Sequence, residues 1–323
     1  MKKHKICKIL LVILAIFLCV AFYELLGICV AYKKQPEVSN TIKKETQNDS
    51  WNERSENMER AVIIEKNPEA LLQRVRLIRN AKEDIILSTF AFQSDESGKL
   101  ILGALHDAAD RGVHVRLLVD GMESWVDMEG NPYFYGLSSH ENVEIKLYNK
   151  ANPLKPWKMM GRMHDKYLIA DGKTYILGGR NTYNYFLGDF PGHKNYDRDV
   201  LVVCDEPEKE NSVNQLSEYF ETIWNQEDSG YFHNNKKLAN RKSVKNAVLE
   251  LQNGYQKYFE ENKERICETD YTDETFETEK ITLVSNPIHT GSKEPVVWYQ
   301  LGELMKNAKN RVKIHTPYII CND

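Results

Sequence analysis

The 323 residues include only 6 cysteines, and no spacing among them resembles a zinc site. Cys7, Cys19 and Cys29 lie in or beside an apolar N-terminal run, and Cys204 ends the apolar stretch LVVC. That leaves Cys267 and Cys321, too few for a disulfide framework, although a single bridge between them stays open. Also missing is a basic excess. The formal net charge is −4, and it becomes −9 once residues 1–34, with six lysines and one glutamate, are set aside. Proteins that grip nucleic acid along its backbone present a basic surface, so no nucleic-acid partner is expected. No carboxylate cluster is spaced to hold an ion, so neither a metal nor another cofactor is implied. Of the 9 histidines, only His164 is followed two positions later by a lysine.

What is present begins with Lys2, Lys3, Lys5 and Lys8, then an apolar run from Ile9 to Tyr32 broken only by Glu24, then Lys33 and Lys34. About 24 residues at about 1.5 Å each reach about 36 Å, enough to span a bilayer with some tilt. The run reads as a transmembrane signal anchor. A cleaved signal peptide is the alternative, since Ile9 to Tyr23 alone approaches the length of a signal-peptide core. Lysines flank both ends, with the larger number before the run, which favours a cytoplasmic N-terminus and an extracytoplasmic body.

Residues 35–60 are polar and charged, a juxtamembrane tether. Helix and strand patterns then alternate. Asn67 can cap a helix with Pro68 at its first position, placing Leu71, Val75 and Ile78 on one face ahead of the strand IILSTFAF. A second helix is predicted from about Lys99 to Arg111, stopped by Gly112 and followed by the strand VHVRLLVDG. Val213, Leu216, Phe220 and Ile223 have helical spacing, as do Val244, Val248, Leu251, Tyr255 and Phe259 in a helix from about Lys242 to Glu261. Both stripes read as core packing. The fold class is α/β.

The most informative stretch is HDKYLIAD, His164 to Asp171, followed by GGRN, Gly178 to Asn181. On an extended backbone His164 and Lys166 share a face, which sets an imidazole beside a fixed positive charge. Imidazole can attack phosphorus, and an ammonium offsets charge growing on phosphoryl oxygens. Asp171 and Gly172 signal a turn, and a return strand from Tyr175 carries Gly178, Gly179 and Asn181 back toward the imidazole. The glycines would let a phosphate approach the backbone, and Asn181 adds an amide donor. Between Lys150 and Arg180 there are seven basic residues against Asp165 and Asp171 alone. A basic mouth on an acidic body suits a compact anionic headgroup.

The composite of HDKYLIAD and GGRN resembles the signature of the phospholipase D superfamily. AADRGVHVRLLVDG together with GRMHDKYLIADG resembles its bacterial cardiolipin synthase branch. That resemblance implies a phospholipase D-like α-β-α sandwich lobe with a mixed central sheet, at residues 61–230. RNAKEDIILSTFAF (79–92) also lines up with KNAKNRVKIHTPYI (306–319), which implies the beginning of a second similar lobe at 281–323, after an inter-lobe helical linker at 231–280. With 1–34 as anchor and 35–60 as tether, this gives the domain organisation.

By the same resemblance His164 would be nucleophile or general acid of a double displacement, with a second lobe or a homodimer partner supplying the other histidine. Lys166 and Asn181 would hold phosphoryl oxygens, and Asp199, with Asp197 competing, would accept a hydrogen bond from the imidazole. Asp171 belongs to the named motif, although its turn position favours a structural role. Gly178, Gly179 and Arg162 would line the substrate. The implied activity is phosphatidyl transfer on phospholipid through a phosphohistidine. A hydrolase, a superfamily nuclease and a catalytically silent phosphate-binding membrane protein are the alternatives. The nearest branch has two transmembrane helices and this sequence shows one.

Overall fold

A computed structural model describes residues 2–48, 59–206, 210–233 and 235–314. In chain order the elements are α1 (Lys2–Ala31), α2 (Asn40–Asn48), β1 (Glu59–Ile64), α3 (Asn67–Asn80), β2 (Asp84–Thr89), α4 (Glu96–Asp110) and β3 (His114–Asp120). There follow α5 (Glu123–Asp127), α6 (Pro132–Ser138), β4 (Val143–Tyr148), β5 (Tyr167–Ala170), β6 (Thr174–Gly178), β7 (Asp199–Cys204) and α7 (Ser212–Trp224). The last are β8 (Ser229–Tyr231), α8 (Lys242–Glu261), α9 (Lys263–Cys267), β9 (Phe276–Glu277) and α10 (Val296–Lys306).

The strands form one mixed sheet in the order β8-β4-β3-β2-β5-β6-β7-β1-β9. β2, β3 and β4 run parallel, as helical crossovers require, and the other pairings are antiparallel. Alternate side chains feed two cores. Ile85, Leu87, Leu117 and Leu168 pack with α3, α4, α6 and α8, whereas Ile86, Leu118, Ile169 and Val202 pack with α7. The result is the expected α-β-α sandwich with a mixed central sheet, and α8 and β9 extend it beyond residue 230.

α8 spans the predicted Lys242–Glu261, and Val244, Leu251, Tyr255 and Phe259 are buried with Ala247. It lies close on α4 at Gly103, where a Cβ would come within 2.7 Å of the Leu251 carbonyl oxygen. α4 begins three residues before the predicted Lys99, because the Asp95 carboxylate accepts from Gly98 N at 3.0 Å and caps it there. Asn67 is not the cap of α3. It is the first helical residue, and its side chain instead donates to Asn195 O at 2.9 Å and accepts from Arg180 Nε at 3.1 Å.

The stretch 231–280, expected to be a linker between lobes, packs on the sandwich itself. Within it α8 lies on α4 and β9 pairs with β1 at a sheet edge. Arg76 ties the segment after α9 to α3 by donating to Glu268 O, Asp270 O and the Glu274 carboxylate, each at 2.7 Å. In the repeat, α10 ends just before Asn307 as α3 ends at Asn80. Residues 311–314 are exposed and form no strand, and the rest of the aligned strand, with Cys321, lies outside the described residues.

Candidate active site

β5 starts at Tyr167, so His164 to Lys166 form the extended lead into the strand rather than part of it. The hairpin pairs Tyr167 with Leu177 and Ala170 with Thr174, and it extends by one bond from Gly178 N to Lys166 O at 3.1 Å. His164 and Lys166 do share a face. The Phe90 ring lies 4.7 Å from the His164 ring, centroid to centroid, and 5.4 Å from Lys166 Nζ. The Lys166 ammonium donates to His164 O at 2.8 Å, so it is held beside the imidazole rather than free to swing.

Electrostatics separate the two groups. His164 is exposed at its edge, yet partial desolvation and then the Lys166 charge lower its pKa, which favours neutral imidazole near pH 7. Lys166 is 5% exposed, and burial lowers its pKa to about 8 against the raising influence of Asp165 and Asp197. Asp165, between them, has its pKa raised by burial. It accepts from Tyr219 Oη of α7 at 2.8 Å, which opposes that shift.

These groups open onto a cavity of 410 Å³. Its floor includes Arg162, His164, Lys166 and Gly178, and its roof is the strap 283–288 with Lys293. The strap is fastened to α7 and to the turn after it, with Leu283 N donating to Gln215 Oε1 and Gln226 Nε2 donating to Ile288 O, both at 2.8 Å. Burial lowers the Lys293 pKa, opposed by Asp165. Phe90, Tyr219 and Lys293 were absent from the sequence reading, for they lie far from the motif in sequence and carry no local signal.

Several motif residues have other occupations. Asp171 sits at the far end of β5 from His164, in the left-handed region at φ 51°. Its carboxylate accepts from the backbone amides of Lys82, Glu83 and Asp84, at 2.9, 2.8 and 3.1 Å. Its catalytic assignment is corrected to a structural one: it joins the hairpin turn to the start of β2. Asp171→Ala should therefore cost about 1–2 kcal/mol in a denaturant titration. Turnover per folded molecule should stay within about twofold; a large loss would restore the catalytic assignment.

The double glycine makes room for carboxylates rather than for phosphate alone. A Cβ on Gly178 would lie 1.9 Å from Asp199 Oδ1, and one on Gly179 would lie 2.1 Å from Asp197 Oδ2. Asp199 is not placed to orient His164. It is fully buried behind Gly178 and ion-paired with Arg74 Nη1 at 2.9 Å and Arg180 Nη1 at 3.2 Å. Arg180 is anchored in turn by Ile64 O, Glu65 O and Asn67 Oδ1. Of the two candidates, Asp197 is the one whose charge acts on Lys166. Asn181 Oδ1 accepts from Ala91 N at 3.2 Å, which steadies the loop bearing Phe90. Arg162, expected on lipid phosphate, lines the cavity but spends its guanidinium on Asp120 Oδ1 at 3.2 Å and on Asn149 O. Asp120 also accepts from Met163 N at 3.0 Å, so the pair sets the backbone leading into His164.

A hairpin that presents a His-x-Lys at the mouth of a mixed-sheet sandwich defines the class for the part of the chain that carries it: residues 74–224 are a phospholipase D-like domain. Residues 74–224 match the family model described as "Cardiolipin synthase, PLD-like domain". An uncharacterized protein of Helicobacter pylori (strain J99) is 31% identical over 206 residues, 59% of this chain and 38% of that protein. Cardiolipin synthase C of Escherichia coli (strain K12) is 30% identical over 154 residues, 43% of this chain and 31% of that protein. The crystal structure of phosphatidylserine synthase from Haemophilus influenzae aligns with 68% of this chain and 48% of its own, at 17% identity and a TM-score of 0.46. The chain spans about a third of the length of the curated relatives it matches.

Proposed function

We propose that this chain is a membrane-anchored phospholipid phosphodiesterase or phosphatidyltransferase, of cardiolipin synthase type, working through a phosphohistidine on His164. The observation that carries the reading is the pairing on Phe90 of an exposed, pKa-lowered imidazole with an ammonium held by the imidazole's own backbone carbonyl. A neutral imidazole nitrogen attacks phosphorus, a P–N bond forms, and the P–O bond to the leaving alcohol breaks. Lys166 offsets the charge on the nonbridging oxygens, and Lys293 adds a second cation from the roof. A general acid protonates the leaving oxygen; that role falls to a second histidine, from a second lobe or a second copy of the chain. An alcohol then takes the phosphatidyl group, or water does, which decides between transferase and hydrolase. Support for lipid as substrate comes from the family match, the cardiolipin synthase relatives, and an apolar N-terminal helix spanning Lys5–Ala31. The test is the full chain in phosphatidylglycerol vesicles, with and without added glycerol, followed by product analysis. Absence of any lipid product, with metal-independent cleavage of single-stranded DNA instead, would replace this reading by the nuclease one.

The paired shifts predict a bell-shaped rate profile. Activity should rise with pH as His164 loses its proton at a pKa below 6.5. It should fall as pH passes about 8, where Lys166 loses the charge that holds phosphate. Lys166→Met should remove the alkaline limb together with most of the activity. It should also stabilise the fold by about 1 kcal/mol or more, because a buried charge is replaced by an apolar chain of similar length. An unchanged profile in kcat/KM, or a destabilised variant, would contradict this account of Lys166.

A further inference from the structure

Two loops at the end of the sheet that bears His164 expose large apolar side chains. Trp125 and Val126 on α5 are 68% and 77% exposed, and Leu154, Trp157 and Met160 in the loop after β4 are 78%, 45% and 59% exposed. The loops are neighbours. β3 and β4 leave the sheet in register at Asp120 and Tyr148, Gly121 N donates to Tyr148 O at 2.7 Å, and Met122, Lys155 and Met159 line one cavity. The second loop leads straight into His164. On α5 the acids Glu123 and Asp127 are half-buried, which leaves the indole and the valine to face outward.

The same loop touches α1. Tyr23 Oη donates to Leu154 O at 3.0 Å, and Pro156 fits so tightly on Gly27 that a Cβ there would meet it at 2.4 Å; just past α1, Tyr32 Oη donates to Thr290 O, near the strap, at 2.9 Å. The apolar helix has 27 residues, Lys5–Ala31, about 40 Å at about 1.5 Å per residue, against about 30 Å of bilayer hydrocarbon. Counted from Ile9, past the charged Lys5 and Lys8, the helix reaches about 35 Å to Ala31, so its end, just beyond the Gly27 that carries the loop, comes out at the bilayer interface. An exposed indole in the loop that packs on this end of the helix sits where tryptophan concentrates in membranes, and exposed Lys155 in the same loop, with exposed Lys33 and Lys34 just after α1, suits anionic headgroups.

We infer that this rim, Trp125 and Val126 with Leu154, Trp157 and Met160, is a second membrane contact: it rests in the interfacial layer of the bilayer that α1 crosses and holds the His164 cavity at headgroup level. The inference builds on the anchored-phospholipase reading above. An apolar patch of this kind, continuous with a spanning helix, has a lipid surface as its occupant.

The test uses the full chain reconstituted in phosphatidylcholine–phosphatidylglycerol vesicles whose acyl chains carry bromine, a short-range quencher of tryptophan. Brominated lipid should lower wild-type emission by about a third more than it lowers that of Trp125→Phe/Trp157→Phe. Equal quenching of the two proteins overturns the inference, as does a wild type that lipid does not quench. A second variant, Leu154→Ser/Trp157→Ser/Met160→Ser, should turn over vesicle lipid about tenfold more slowly while a short-chain monomeric phosphodiester is cleaved at the wild-type rate. Equal loss on both substrates overturns it. Wild-type protein inactive on every phosphodiester but quenched as described would sink the enzymatic reading alone, and protein stripped from vesicles by alkaline carbonate would overturn the spanning anchor and this inference with it, while the enzymatic reading stands or falls on the product assay.

Discussion

His164→Ala is expected to lower kcat for phosphodiester turnover by about 10³-fold or more, because it removes the atom that would bond to phosphorus. The fold should be indifferent to the change. His164 is exposed, its ring makes no hydrogen bond among the described residues, and its packing partner Phe90 keeps the Lys166 contact. Thermal unfolding should therefore shift by no more than about 2 °C, since exposed substitutions cost little. His164→Asn gives a sharper form of the test: it keeps a polar planar group of similar size but cannot carry a phosphoryl group. Stopping the wild-type reaction in acid-free denaturant with lipid labelled at phosphorus should trap label on the chain, and neither variant should trap any. Turnover within tenfold of wild type in His164→Asn would remove the phosphohistidine from the mechanism.

The elements that a local pattern can specify were legible in the sequence. The stripe Val244, Leu251, Tyr255, Phe259 defines α8 to its last residue, since helical spacing of apolar side chains needs no distant partner. The hairpin from Tyr167 to Gly178 was legible for a related reason, that alternating apolar residues and an Asp-Gly turn dictate both strands. What the sequence could not display were partnerships between side chains far apart along the chain. Asn67 has the composition of a helix cap, yet Arg180, more than a hundred positions on, claims its oxygen. Arg162 has the charge of a phosphate ligand, yet the buried Asp120 takes its guanidinium. Gly178 and Gly179 invite a phosphate in any reading of bare sequence, and only the register of β6 on β7 puts two carboxylates there. The motif thus marked the candidate site, while tertiary pairing decides where its outer members are engaged.

Asp199 is where that difference is largest in energy. Its carboxylate is the counter-charge for two guanidiniums, Arg74 and Arg180, all three being buried, with Arg180 fully enclosed. Burial lowers the Arg180 pKa while Asp199 raises it, which means the carboxylate is what makes a charged Arg180 tolerable there. Removing one member of such a set strands the others. Asp199→Ala is therefore expected to cost about 3–5 kcal/mol in urea unfolding, the scale for an uncompensated buried charge, and Asp199→Asn somewhat less because it fills the space behind Gly178. Arg74→Met should rescue part of the Asp199→Asn loss by withdrawing one of the two stranded cations, and the size of that rescue measures the coupling. The competing role, an acceptor that orients His164, makes an opposite forecast: a folded, stable Asp199→Asn protein whose kcat falls by orders of magnitude and whose acid limb moves. Unfolding free energy and pH profile measured on the same sample separate the two. A stability change under about 1 kcal/mol with a displaced acid limb would return Asp199 to the catalytic machinery. Large destabilisation with an unmoved limb would leave Asp199 as the post that fixes β7 behind the double glycine and keeps the His164 hairpin in place.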